Sequence, residues 1–482
     1  MLTISLSIQQ VIFGLGSWRG VQRTFEVFAK FMTFSQPSFS SIRRWVLRLG
    51  LYALQQPKTL EPDWIFIVDL TIELGTVKCL VILGIRQKEW EKIAKEEVRA
   101  LKHADVEVLE VAAMAQCRGE DLQQKIEKLS QAVGVPVQIL ADHGSDIKKG
   151  IRLFQEQHPE VIYTYDVTHQ MAILLKGELN SDQRYQEFSG RCSLARQQIK
   201  QTVLGFLMPP SQRTKSRYLN VETIVDWAQR ILKYQEQNDF SAISTIFTLD
   251  AKALEKLKSD LEPTIHAQLT HLQGKSYSNL EDFTKSVCQQ IGTTVFERHG
   301  EVLCQSANLG RVRFLQKLGW LKDYQAEIES YGQMIELVHC VEQQLKTRGL
   351  TSTSLKLFKE QTQSMQISPR VQRFKERIVE YIVRESYSMT DGQTRLASSD
   401  IIESIFGKYK WFSKRGASNE IGPLLLTIPL YVVEITSEFV KKAMEAVRVK
   451  DVTDWVKNVL GGSMLSKRKA MFKLSSQDTE TV

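Results

Sequence analysis

The chain is poor in cysteine and makes no paired use of what it has. Its six cysteines (Cys79, Cys117, Cys192, Cys288, Cys304 and Cys340) are scattered through 482 residues, with no Cys-x-x-Cys motif. That spacing argues against a structural zinc site and suits reduced thiols in a cytoplasmic protein. Long hydrophobic runs are also missing. The longest, residues 423–433, is too short to cross a bilayer and reads as a buried helix or strand, so no membrane partner is expected. The first residues lack the basic region and small-residue cleavage site of a secretory signal, and none is expected. No repeat of fixed period is present. What remains is ordinary for a globular protein: 43% hydrophobic and 24% charged residues, in a chain long enough for two to four domains.

The formal net charge is +8, which suits an acidic partner, nucleic acid being the commonest. The cations cluster. Arg43, Arg44 and Arg48 lie within six positions, and Lys408, Lys410, Lys414 and Arg415 follow a helical segment near residue 403.

Four zones separate along the chain. Residues 1–60 read as short helices. Val21, Phe25, Phe28 and Met32 recur at helical spacing, residues 35–38 break the pattern, and a second helix follows. That helix has Ser38 or Ser40 as N-cap, an apolar face of Ile42, Trp45, Val46 and Leu49, and Gly50 as its stop. With Arg43, Arg44 and Arg48 on the other face, this is either a helix-turn-helix or a small helical subdomain with a solvated basic face. Residues 61–180 change texture. Residues 64–71 and 77–85 read as a hairpin of long strands around a turn at Glu73-Leu74-Gly75, and 106–112 as a third strand. A helix over 120–133, a short buried strand over 135–141, a helix over 145–157 and a strand over 161–165 follow. This is the element order of a ribonuclease-H-like mixed sheet. Residues 181–395 are helical in pattern, cleanest from 322 to 346 and ending at Gly349. Residues 396–482 are mixed and end in a polar, disordered tail over 474–482.

Three acids stand out. Asp69 lies near the end of an apolar strand, where a carboxylate is costly unless compensated. Asp142 ends the fourth strand, and both emerge at one end if the first and fourth strands are neighbours. Either each caps a turn, or together they hold Mg²⁺ through oxygen ligands. Glu403 lies one turn into a helix that starts near Ser398 or Ser399. Gly407 and Lys410 follow on nearly the same face, Gly407 leaving room for a DNA backbone and Lys410 in reach of a phosphate. Asp400 is a rival to Glu403. Asp166 and His169, three apart on a helix, are either an N-cap with a core histidine or a pair supporting a metal site. His143 points away from Asp142. Trp320 is either core or a base-stacking residue.

The order Asp69, Asp142, Glu403 resembles the DDE catalytic core of prokaryotic insertion-sequence transposases. Residues 64–71 resemble that family's first-aspartate strand, and 400–410 its final Glu, Gly and Lys motif. Asp166-Val167-Thr168-His169 is similar to the Asp/Cys-x-x-His element of hAT-like and Mutator-like transposases. Lys410 keeps the Glu-to-Lys spacing of a Tyr-Arg-Glu-Lys signature, with Leu396 and Ser399 in its first two positions. The 261 residues between Asp142 and Glu403 resemble families with a helical insertion before the last catalytic helix. The resemblance implies an α/β ribonuclease-H-like sheet interrupted by an all-α insertion. It also implies two Mg²⁺ ions, replaceable by Mn²⁺, on Asp69, Asp142 and Glu403, with Asp69 bridging. Arg43, Arg44, Arg48, Lys408 and Lys410 would bind DNA, and Asp166 and His169 would be accessory. The activity implied is cleavage at terminal inverted repeats and joining to target DNA, by a dimer or larger assembly, cytoplasmic and nucleoid-associated when bound. The rivals are a ribonuclease-H-like nuclease or resolvase, and a non-catalytic DNA-binding protein descended from a transposase.

Overall fold

The computed structural model describes residues 1–33, 35–72, 77–114, 117–202, 204–211, 220–237, 247–248, 255, 258–259, 263–271, 276–277, 280–292, 309–387, 389–414, 421–462 and 464–477. Two compact units divide the chain. One comprises Met1–Met171, Cys340–Gln363 and Val379–Val482, the other Ala172–His339 and Ser364–Ile378.

The first unit is built on five strands: β1 (Trp64–Ile72), β2 (Lys78–Arg86), β3 (Glu107–Met114), β4 (Gln138–Ala141) and β5 (Ile162–Tyr165). Their spatial order is β3-β2-β1-β4-β5. β2 is antiparallel to both β1 and β3, β4 runs parallel to β1, and β5 parallel to β4. The β-branched and aromatic runs read from the sequence form all five strands, within a few residues of the expected bounds. Two-residue alternation along β1 loads two cores. Ile65 and Ile67 face one that includes Ile8, Phe25, Ile42, Ile402, Ile405 and Tyr409. Trp64, Phe66 and Val68 face another, with Leu122 and Ile126 of the helix Gly119–Val133 and Ile151 and Phe154 of the helix Ser145–Gln157. The sheet is therefore covered on both faces, and its strands are correspondingly apolar throughout.

The N-terminal helices are α1 (Leu2–Ile12), α2 (Trp18–Phe28) and α3 (Phe39–Leu54). Ser38 caps α3, its hydroxyl accepting from Ser41 N. Two expectations need correction. Gly50 does not stop α3, which runs on to Leu54. Its lack of a side chain is a packing requirement, because a Cβ there would collide with the carbonyl of Leu426. Nor is the connection between α2 and α3 a tight turn. Residues 29–38 separate them, and Leu47 and Leu51 of α3 pack on Leu426, Val447 and Val452. A helix covered in this way is a central support, unlike a recognition helix standing free for a groove.

Of residues 423–433, Pro423–Tyr431 form a 3-10 helix that is buried from Leu425 to Tyr431. The tail expected over 474–482 is helical as far as Gln477; its last residues, and the turn at Glu73-Leu74-Gly75, lie outside the described residues.

Among the described residues the second unit is helical over Gln183–Ile199, Val221–Gln237, Pro263–Thr270, Leu280–Ile291 and Leu309–Leu318, with a two-stranded ladder, Phe247–Thr248 on Ser276–Tyr277. It is smaller than the expected 181–395 because Cys340–Gln363 and residues from Val379 onward belong to the sheet-bearing unit. There Tyr381 donates its hydroxyl to Tyr165 O, Glu385 accepts from Tyr165 N, and Lys346 pairs with Asp400. The first two contacts hold residues 381–385 on the β5 edge, and the third holds Lys346 on the start of the helix Asp400–Ser413. Among the described residues, no helix is long and apolar enough to cross a membrane.

Candidate functional site

The β1–β4 register sets Val68 opposite Ala141, and the β4–β5 register sets Ala141 opposite Tyr165. The next residues along the three strands are Asp69, Asp142 and Asp166, so three aspartates leave adjacent parallel strands in one row. Asp69 follows Ile65 and Ile67 by two-residue alternation, placing it on the face that also packs the helix Asp400–Ser413.

Asp69 is partly buried, its Oδ1 accepting from Leu70 N at 2.6 Å. Its carboxyl is pushed up to about 6, first by loss of water, then by the negative charge of Asp142 and more weakly of Asp166; Leu70 N and His169 oppose the rise. Burial and a neighbouring negative charge both favour the neutral form of the Asp69 carboxyl. Asp142 Oδ1 accepts from Gly144 N at 3.0 Å, and a Cβ on Gly144 would stand 3.1 Å from that oxygen. The Asp142 carbonyl accepts from Tyr163 at 2.6 Å. Burial first, then Asp142, raises both tyrosine hydroxyls, Tyr165 to about 12. His143 stacks on Tyr165, ring centroids 3.6 Å apart. Burial, then Lys148, lowers its imidazole to about 4.

Glu403 reaches this end of the sheet because the chain before its helix is pinned twice. Gln138, buried in β4, donates to Leu396 O at 2.6 Å and accepts from Leu396 N at 3.1 Å. Asp166 is fully buried; its Oδ2 accepts from both Ser399 N and Ser399 Oγ, while its Oδ1 accepts from His169 N at 2.7 Å. Asp166 is thus a positioning residue that caps the helix Val167–Asn180 and fixes the start of the Glu403 helix. His169 Nε2 lies 3.2 Å from Glu403 Oε1, joining the third acid to the aspartate row. Asp400, the rival ligand, is engaged elsewhere: Lys346 Nζ is 2.7 Å away and Thr168 Oγ1 donates to it at 3.1 Å.

In chemical type the acids fit a hard divalent cation. They are oxygen donors, and Asp69 beside Asp142 carries a repulsion that a cation relieves. Glu403 stands apart from that pair through its bond to His169. Among the described residues no three His, Cys, Asp or Glu side chains converge closely enough to hold a metal.

The expected DNA-binding residues divide. Arg43 and Arg44 are exposed. Arg48 is not available, since it donates to the carbonyls of Val447 and Met444 at the end of the helix Ser437–Ala446. It serves as a helix C-cap. All three border a cleft of about 200 Å³ lined by Leu47, Val449, Val452 and Val456. Lys408 lies 2.9 Å from His103 Nδ1 and over the Tyr431 ring, while His103 Nε2 faces Ser404 Oγ at 3.1 Å. Lys410 shares the partly exposed side of the helix with Glu403 and lies over Phe406. Arg415 lies outside the described residues. Trp320 is half-buried against Phe188 and Tyr324, its indole N–H donating to Lys317 O at 2.8 Å.

The sequence reading missed Gln138 and the Tyr163–Tyr165 wall. Each left a trace: a lone amide in an apolar strand, and two tyrosines at strand period.

No known protein family matches the chain, and no curated protein matches it. Among solved structures it is similar to the Drosophila P element transposase strand transfer complex, with 12% identity and a TM-score of 0.34 over 91% of this chain and 92% of that chain. A likeness of that size shows neither family nor activity.

Proposed function

We propose that the chain is a DNA transposase of the DDE type, with a ribonuclease-H-like core in which Asp69, Asp142 and Glu403 hold two Mg²⁺ or Mn²⁺ ions. The observation that carries this reading is the placement of Asp69 and Asp142 at the matching ends of neighbouring parallel strands, with the Glu403 helix pinned over the same end. The strand order β3-β2-β1-β4-β5, with β2 alone reversed, supports the ribonuclease-H-like assignment. When bound, the ions supply Lewis-acid stabilisation of charge on the attacking and leaving oxygens. The chain's own residues do the rest. Asp69 and Asp142 would hold the ions from adjacent strand ends and Glu403 from its helix; Asp166 and Gln138 hold the Glu403 helix in register, and His169 orients the Glu403 carboxylate. Lys410, seven residues beyond Glu403, holds a phosphate of the DNA. The substrates are the element's terminal inverted repeats and target DNA, paired by a homodimer or larger assembly.

The hydrogen bond that keeps Glu403 on His169 favours a second reading, a DNA-binding protein without catalysis. One assay separates the two. Labelled duplexes bearing the inverted repeats that flank the gene are incubated with the protein, a target plasmid and Mg²⁺ or Mn²⁺. Strand joining that disappears in Asp69→Asn and Glu403→Gln supports transposition. Cleavage without joining points to a nuclease, and binding alone to the second reading.

A further inference from the structure

The helix Met464–Gln477 follows Gly461, which has a φ of +67° and open space around it. It contains Lys467, Arg468, Lys469 and Lys473 and no acid. Several helical cations elsewhere have an acid one turn away, as in Lys95–Glu91, Arg230–Asp226 and Lys442–Glu438. Here Lys467, Arg468 and Lys469 are exposed, and no carboxylate pairs with them among the described residues. Three successive cations with no acid in the helix repel one another. A polyanion alongside reverses that sign.

The apolar residues narrow the partner further. Leu465, Met471 and Phe472 are 52%, 70% and 57% exposed. At 100° per residue they interleave with the cations around the helix rather than forming a separate stripe. A helix that lies in a membrane interface, or that seams with a second helix, needs the two classes on opposite faces. Interleaving suits a surface where charge and apolar edges alternate at short range, as phosphates and sugars do along a nucleic-acid groove.

We propose that Met464–Gln477 is a DNA-docking arm, which binds the phosphate backbone of duplex DNA outside the carboxylate site and swivels at Gly461. It rests on the reading that the substrate is DNA, and adds a second, sequence-independent contact.

The test uses the full chain and a fluorescent duplex in EDTA, so that binding is read without cleavage. Apparent affinity is measured by anisotropy across a salt series for wild type and for the triple variant Lys467→Gln, Arg468→Gln, Lys469→Gln, whose sites are solvent-exposed. Loss of three phosphate contacts makes the slope of log affinity against log salt shallower by about 3, and lowers affinity on the order of 100-fold at 0.1 M salt. An unchanged slope overturns the arm, as does wild type that binds anionic vesicles but not the duplex. Separate cleavage assays keep the two claims apart. A triple variant with the wild-type slope, in a chain that cleaves DNA, removes the arm and leaves the carboxylate reading. A lost slope in a chain that never cleaves keeps the arm and removes that reading.

Discussion

Replacing Asp69 with asparagine should stabilise the protein, and the gain should depend on pH. The folded chain holds the Asp69 carboxyl at about 6 against an ordinary value of 3.8. A carboxyl raised on folding favours its neutral form in the native state, so its contribution to stability is intact below 3.8 and is lost as pH rises through 6. At about 1.4 kcal/mol per pH unit, the full penalty is about 3 kcal/mol at pH 8 and about 1.5 at pH 5. Asparagine keeps the shape and an oxygen for Leu70 N but cannot ionise. Asp69→Asn should therefore exceed wild type by about 3 kcal/mol at pH 8, with the difference halved at pH 5. Urea denaturation followed by tryptophan fluorescence reports it, since Trp64 and Trp90 are buried in the sheet-bearing unit. A variant no more stable than wild type at pH 8, or a gain that ignores pH, would refute the claim that the fold compresses two carboxylates for a purpose other than its own stability.

Asp166→Ala removes three hydrogen bonds to a buried carboxylate and should cost about 3–5 kcal/mol, with faster amide exchange at Ser399 and His169; Asp166→Asn should recover part. Gly50→Ala should destabilise by about 3 kcal/mol or prevent folding, because the methyl meets the Leu426 carbonyl. Gly407→Ala is the opposite case: nothing lies within 4 Å of the added methyl, so stability should rise by about 0.5–1 kcal/mol while DNA cleavage falls. Arg48→Ala should lower stability by about 1–2 kcal/mol without changing the salt dependence of DNA binding. The exposed pair Arg43→Gln and Arg44→Gln should do the reverse, with a stability change within about 0.5 kcal/mol.

The sheet was legible because its signal is local. Runs such as residues 64–71 carry β-branched and aromatic side chains that favour strands, and each spacer's length and period marked a helix or a turn. Asp69 and Asp142 could be named because a carboxylate at the end of an apolar run is costly wherever the run pairs. The locks that place Glu403 were not legible. Gln138 meets Leu396 and Asp166 meets Ser399 across more than 200 residues, and nothing in either neighbourhood names its partner. Arg48 misled for the same reason. An arginine on a helix looks the same whether it faces a phosphate or the carbonyls of Met444 and Val447 some 400 residues later. Gly50 read as a helix stop because glycine's backbone cost is visible in sequence, while the Leu426 carbonyl that requires it is not.

For the three acids to act together Glu403 must leave His169 to share cations with Asp69 and Asp142, which calorimetric titration of Mn²⁺ into the full chain tests without any DNA. Saturable binding by wild type that is lost in Asp69→Asn and in Asp142→Asn, and clearly weakened in Glu403→Gln, is the predicted result. Wild-type binding retained in Glu403→Gln, or no saturable binding by wild type, would contradict the three-acid site.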